Sequence, residues 1–236
     1  MGEEYRRIKR PLVTNARRAM APGDRRLRVV TVTSALPGEG KTFTAINLAI
    51  SVALEKDVQV LLIDGDVAKP NISVEFGLRA DGGLLDLLKD ESLDPEGLIQ
   101  DTDLPGLSIL PAGGRSEADT ELLASARMAR LVDRLLDGDP ERIVLMDSSP
   151  LLVTTESREI LAVAGQVVFV VAADATPRQA VYDALTAVRD GQIVGFVLNR
   201  VDPRDAQNWH YDYGSYAEHG IARADTGGEP ARGRMP

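Results

Sequence analysis

Ala35-Leu36-Pro37-Gly38-Glu39-Gly40-Lys41-Thr42 stands between two stretches of different periodicity. Before it, Leu27-Arg28-Val29-Val30-Thr31-Val32-Thr33-Ser34 is short and β-branched, as a buried strand is. After it, Ile46, Ala49, Ile50, Ala53 and Leu54 fall on one helical face. A glycine-rich turn between strand and helix points several backbone N–H groups into one concavity. The helix N-terminus adds its dipole and Lys41 a full positive charge. The Thr42 hydroxyl can then ligate a Mg²⁺ ion held between phosphates. This is the physics of a nucleoside-triphosphate cradle. Ala35 stands where the usual pattern has its first glycine.

Outward from this loop the chain alternates between strand and helix. Strands are predicted near 28–34, 58–64, 107–110, 141–147, 166–172 and 192–199, and helices near 41–55, 83–89, 118–137, 156–163 and 177–189. Runs such as Val58-Gln59-Val60-Leu61-Leu62-Ile63 and Val167-Val168-Phe169-Val170-Val171 are almost continuously apolar. Such strands are covered on both faces, so the expected fold is α/β: a doubly wound, mostly parallel sheet with helices on both sides. No internal repeat is visible. The tail from Gly220 is rich in Gly, Pro, Arg and Asp with little to bury, and is expected to be disordered.

In a parallel sheet the carboxyl ends of the strands share one edge, where ligands bind. The second strand ends in Ile63-Asp64-Gly65-Asp66 and the fourth in Ile143-Val144-Leu145-Met146-Asp147. Asp64, Asp66 and Asp147 therefore converge on Lys41 and Thr42, an arrangement with a use when a cation sits among them. Mg²⁺ keeps several waters and takes one or two carboxylates. Asp147 best supports the ion through water, with Asp64 or Asp66 as the base that prepares an attacking hydroxyl. In phosphoryl transfer the protein mostly positions reactants and neutralises charge. The last strand ends in Val197-Leu198-Asn199-Arg200; the Asn199 amide can read an adenine rim or equally cap a turn.

Composition excludes much else. The 236 residues include no cysteine, which removes disulfides, thiolate metal sites and cysteine catalysis and fits a reducing cytosol. His210 and His219 are too few for a histidine-built zinc site. No stretch approaches the roughly 20 apolar residues of a membrane span, and no signal-peptide pattern opens the chain. Charge is lopsided. Residues 1–28 hold nine Arg or Lys against three acids, a local +6 in a chain of net −9, which leaves −15 elsewhere. A basic arm beside an acidic body can dock on a neighbouring subunit, an anionic membrane or an acidic partner. General nucleic-acid binding is disfavoured by the acidic body.

With these residues in hand, the chain resembles the bacterial tyrosine kinases, P-loop enzymes that phosphorylate themselves and work with polysaccharide export machinery. More narrowly, it is similar to the tyrosine autokinases of exosortase-type exopolysaccharide systems. The resemblance spans roughly residues 3–216. Ser34 through Thr42 is similar to the family's Walker A, and Leu61-Leu62-Ile63-Asp64-Gly65-Asp66-Val67-Ala68-Lys69-Pro70 to its second acidic motif. Glu121-Leu122-Leu123-Ala124-Ser125 resembles a family helix, and Val144-Leu145-Met146-Asp147-Ser148-Ser149-Pro150 its Walker B. Glu3-Glu4-Tyr5-Arg6-Arg7-Ile8-Lys9 is similar to the N-terminal Glu-x-x-Arg-x-x-Arg motif that joins subunits into a ring.

The resemblance implies ATP and Mg²⁺ as cofactors, held by Pro37, Gly38, Glu39, Gly40, Lys41, Thr42, Phe43 and Asn199, with Thr42, Asp64 and Asp147 on the metal. Lys41, Asp64, Asp66 and Asp147 become the catalytic set, and Glu3, Arg6 and Lys9 the oligomerisation set. Ala68 replaces the family's usual arginine, Ser149 the first proline after the Walker B aspartate, and Lys9 the last arginine of the N-terminal motif. A shifted register, Glu4–Arg7–Arg10, keeps both arginines, and Pro11 is expected to kink or restart the helix.

Three of the five tyrosines crowd into Trp209-His210-Tyr211-Asp212-Tyr213-Gly214-Ser215-Tyr216, a polar context with no core periodicity. The resemblance makes Tyr211, Tyr213 and Tyr216 phosphoacceptors for a neighbouring subunit. It divides the chain into a basic oligomerisation segment (1–27), a P-loop kinase domain (28–205) and a flexible tyrosine-bearing tail (206–236). It also implies a homo-oligomeric ring, cytoplasmic and peripheral at the inner membrane through a chain-length-determinant (polysaccharide co-polymerase) partner. Two rivals stand beside it. A partition or septum-positioning ATPase shares the fold, but its signature lysine would fall at Leu36. A nucleotide-sensing assembly subunit without turnover needs no intact Lys41, Asp64, Asp66 and Asp147.

Overall fold

A computed structural model describes residues 2–19, 25–78, 82–116, 119–202 and 204. The chain divides into a compact unit, Met1–Asn199, and a second, Arg200–Pro236. In the second, Arg200 adopts a left-handed backbone and the Arg204 N–H donates to the Asp202 carboxylate. Tyr211, Tyr213 and Tyr216 lie outside the described residues.

Among the described residues, seven strands form one sheet in the order β3-β4-β2-β5-β1-β6-β7. They are β1 (Val29–Ser34), β2 (Gln59–Asp64), β3 (Gln100–Asp101), β4 (Leu107–Leu110), β5 (Arg142–Asp147), β6 (Gln166–Ala172) and β7 (Ile193–Asn199). Every pairing is parallel except that of β3 with β4. The eight helices among the described residues are α1 (Gly2–Arg18), α2 (Lys41–Ala53), α3 (Asn71–Glu75), α4 (Leu84–Lys89), α5 (Asp119–Ala124), α6 (Ala126–Asp137), α7 (Glu156–Val163) and α8 (Arg178–Leu185).

The period-two alternation of strand side chains sorts the core into two layers. Val30, Val32, Val60, Leu62, Ile143 and Leu145 face α1, α2 and α3, packing with Leu12, Leu48 and Ile72. Val29, Leu61, Ile63, Val144 and Met146 face the other way, onto α4, α5, α6 and α7. Phe169 and Val167 of β6 extend that second face toward α8 through Ala184. Helices therefore cover both faces, as the apolar strands require.

The differences from sequence expectation are local. The single helix expected over 118–137 breaks at Ser125, whose backbone is extended and whose side-chain hydroxyl caps α6 by accepting the Arg127 N–H at 3.3 Å. α1 runs from Gly2 to Arg18 as one helix through Pro11, with no restart. Its apolar stripe of Leu12, Val13 and Ala16 docks into the core, so tertiary packing outweighs the one hydrogen bond a proline forfeits. Lys9, also buried, donates to the Ser51 carbonyl at 2.8 Å and pairs with Glu55 at 2.7 Å. α3 and β3 were not expected; five and two residues are too few to show a period.

Candidate nucleotide site

All six β1 residues are buried, and the chain leaves the sheet at Ser34 for the loop that opens α2. Gly38 and Gly40 take positive φ angles of 78° and 95°. At Gly40 that backbone disfavours any side chain, and a Cβ there would lie 2.1 Å from the Asn199 amide nitrogen, so Asn199 would have to move aside. Lys41 begins α2 and is buried; Thr42 follows, and its hydroxyl donates to Asp147 Oδ2 at 2.6 Å.

The carboxylates arrive from the two neighbouring strands. Asp64 and Asp147 are register partners at the ends of β2 and β5. The strand ends close further because Gly65 donates its N–H to the Asp147 carbonyl at 2.9 Å, where any Cβ would sit 2.5 Å from that oxygen. Asp64 Oδ2 accepts both the N–H and the hydroxyl of Ser73, each at 2.7 Å. Asp66 Oδ1 accepts the Ser149 hydroxyl at 2.6 Å and the Lys69 N–H at 3.1 Å. A hydroxyl thus holds each acid: Thr42 on Asp147, Ser73 on Asp64 and Ser149 on Asp66.

One oxygen on each of two acids is left over. Asp64 Oδ1 and Asp147 Oδ1 are buried without a hydrogen-bond partner among the described residues, a costly condition for a charged group. Burial pushes the Asp147 carboxyl up to about 7, against the lowering influence of the Thr42 hydroxyl and Lys41. Burial also raises Asp64, opposed by Ser73. A divalent cation relieves both. Among the described residues no three acidic or histidine side chains enclose a metal by themselves. The donor set is two carboxylate oxygens and the Thr42 hydroxyl, which suits Mg²⁺ completed by phosphate oxygens and water.

The remaining expected residues are dispersed around this centre. Pro37 and Gly38 are exposed at the loop tip, Glu39 is buried beneath it, and Phe43 is half exposed on α2. The Asn199 amide donates to the Glu39 carbonyl at 2.9 Å, which ties the end of β7 to the phosphate loop. Glu3 and Arg6 are exposed on α1, with Glu3 paired to Arg7 at 3.6 Å, whereas Lys9 is engaged within its own chain. Ser73 and Thr176 were not singled out from sequence. Ser149 was noted only as a replacement, although a hydroxyl at a strand end beside acids is itself a signal. A cavity of about 490 Å³ between α6 and α7, bordered by Arg26, Met128, Glu159 and Arg189, includes no residue of the loop.

Residues 30–219 match the CobQ/CobB/MinD/ParA nucleotide binding domain. Tyrosine-protein kinase YwqD of Bacillus subtilis (strain 168) is 31% identical over 217 residues, covering 91% of this chain and 85% of YwqD. This chain belongs to the bacterial tyrosine-kinase family. Succinoglycan biosynthesis transport protein ExoP of Rhizobium meliloti (strain 1021) is 31% identical over 203 residues. That match covers 80% of this chain but 25% of ExoP, so the chain spans about a quarter of that relative's length. Among solved structures, the VpsO kinase domain superposes with a TM-score of 0.66 at 29% identity, covering 85% of this chain and 98% of that one. The matched domain is a nucleotide-binding one, on a mostly parallel P-loop sheet. No helix among the described residues is long and apolar enough to cross a membrane.

Proposed function

We propose that this protein is an ATP- and Mg²⁺-dependent protein-tyrosine autokinase. It transfers the γ-phosphoryl group of ATP to Tyr211, Tyr213 and Tyr216 of a neighbouring subunit and so regulates exopolysaccharide chain length and export. The observation that carries the site chemistry is the pair of unpartnered buried oxygens on Asp64 and Asp147 beside the Thr42 hydroxyl. The kinase reading is supported by relatives named as tyrosine-protein kinases.

Lys41 and the loop N–H groups hold the phosphates, and bound Mg²⁺ supplies charge neutralisation across them. Asp64, in register with Asp147, belongs to the metal side. Asp66 lies two residues beyond and is the base; both of its described donors reach Oδ1. The acceptor tyrosine oxygen bonds to the γ-phosphorus, the bond from that phosphorus to the bridging oxygen breaks, and ADP departs. The phenolic proton passes to Asp66. Ring assembly through Glu3, Arg6 and Lys9, with Lys9 seating α1 on its own subunit, brings a neighbour's tail to the site at high effective concentration. A membrane chain-length-determinant partner places the assembly at the inner membrane.

Leu36 favours this reading over a partition-type ATPase: its side chain is partly buried against the core, where a lysine reaching a dimer partner would be needed. Intact placement of Lys41, Asp64, Asp66 and Asp147 favours turnover over passive sensing. Incubation with ATP and Mg²⁺ followed by phosphotyrosine mapping tests the proposal. The variant with all three tail tyrosines replaced by phenylalanine should bind ATP, lose nearly all autophosphorylation, and still phosphorylate a Lys41→Met subunit. Phosphate found on Tyr5 or Tyr182 instead would overturn the acceptor assignment.

A further inference from the structure

The loop that receives the phosphates is held from behind. Glu39 is 3% exposed, although Pro37 and Gly38 beside it face solvent. Its Oε2 accepts the Leu36 N–H at 2.6 Å, which closes the loop on itself. Its Oε1 accepts the hydroxyl of Thr176, in the turn between β6 and α8. Thr176 is in turn fixed to the strand end: its Oγ1 accepts the Ala172 N–H at 3.0 Å and its own N–H donates to the Ala172 carbonyl at 3.1 Å. The Glu39 carbonyl accepts from Asn199, whose carbonyl accepts the Ala173 N–H at 2.8 Å. The β6–α8 turn, the end of β7 and the phosphate loop are therefore one hydrogen-bonded unit.

We propose that Thr176 is a positioning residue for nucleotide binding, acting through the Glu39 carboxylate to keep the phosphate loop shaped for the triphosphate. A loop with two left-handed glycines has much conformational freedom to lose, and ordering it at the moment of binding lowers affinity. The Thr176–Glu39 bond meets that cost in the folded protein. It also detains a negative charge that would otherwise be free to turn toward the phosphates. Loss of the hydroxyl leaves a buried carboxylate oxygen short of its donor and frees it to oppose phosphate binding. The penalty therefore scales with phosphate number, which a general loss of packing does not do.

This inference rests on the nucleotide-cradle reading, so the test measures binding of ATP·Mg²⁺, ADP·Mg²⁺ and AMP by calorimetry rather than turnover. Thr176→Ala should weaken ATP about tenfold and AMP less than threefold, with the melting temperature of the free protein moved by no more than about 2 °C. Thr176→Ser, which restores the hydroxyl, should return ATP affinity to within threefold of wild type. Glu39→Ala, which removes the opposing charge together with the tether, should weaken ATP less than Thr176→Ala does, and adding Thr176→Ala to it should change nothing further, because the two act as one unit. Should Glu39→Ala fail to fold, the alanine and serine variants at Thr176 decide alone. Equal losses for ATP and AMP, additivity with Glu39→Ala, or failure of serine to rescue would each overturn the role of Thr176. A wild type that does not bind ATP would overturn the cradle reading and this inference with it. Binding without phosphotransfer would refute only the kinase reading.

Discussion

β5 and β7 look alike as sequence: Arg142-Ile143-Val144-Leu145-Met146-Asp147 and Ile193-Val194-Gly195-Phe196-Val197-Leu198-Asn199 are both apolar runs ending in a polar residue. Both are parallel strands, and both end in a side chain tied to the phosphate loop. Yet every residue of β5 is buried, whereas none of β7 is, and Ile193, Phe196 and Leu198 are exposed. The difference is position in the sheet. β5 lies between β2 and β1, and among the described residues β7 pairs with β6 alone. An apolar run therefore identifies a strand, while its neighbours decide how much water it loses.

The comparison can be broken at the site first. Lys41→Met should cut phosphoryl transfer about a thousandfold or more, through loss of the charge that follows the transferring group. ATP binding should fall much less, because backbone donors remain; radiolabelled ATP transfer and calorimetry separate the two. Replacement of Asp66 by Asn should lose transfer as severely with binding of ATP·Mg²⁺ retained. Wild-type rates from both variants would show that the loop after β1 and the residues following β2 are not the chemical edge.

Packing gives the next effects. Leu145→Ala, at 1% exposure in β5, should cost about 2–5 kcal/mol by urea denaturation. Phe196→Ala in β7 removes a ring 57% exposed, set 5.6 Å from Phe169, and should cost no more than about 1 kcal/mol. Similar losses at both positions would show that something covers β7 in solution.

Between these stands a pH effect. The folded-state value of Asp147, about 7, is far above the ordinary 3.8, so the nucleotide-free protein holds this proton more tightly than the unfolded chain does. Its destabilisation grows as pH rises from about 4 to 7 and is constant above. Asp147→Asn should therefore raise the melting temperature of the nucleotide-free protein at pH 8, by about 2–4 °C for each kcal/mol relieved, and leave it unchanged near pH 4. An equal shift at both pH values would mean that packing, and not charge, dominates there.

Much of this was legible in the sequence because it is periodic or chemically marked. Six strands, the helix after the phosphate loop and the acids at the ends of β2 and β5 all follow from alternation or residue type. What was missed is held by contacts distant in sequence. Ser73 begins its work only when α3 folds back on Asp64, and Thr176 only when the β6–α8 turn meets Glu39. The break at Ser125 reflects a capping hydroxyl inside a continuous amphipathic pattern, where the pattern alone reads as one helix. The inward turn of Lys9 was equally hidden, since a lysine in a basic helix reads as solvated until Ser51 and Glu55 are seen beneath it.

The open flank of β7 has a colloidal consequence. Ile193 to Asn199 holds no charge and no proline, and among the described residues no further strand pairs with it. Such a flank is a template on which copies of a chain can stack. What keeps copies apart is the acidic body, with its −15 outside the first 28 residues, since like-charged molecules repel before their strand edges meet. That repulsion reaches only about 10 Å at 0.1 M salt and about 3 Å at 1 M. Concentrated salt should thus turn this protein cloudy instead of keeping it clear.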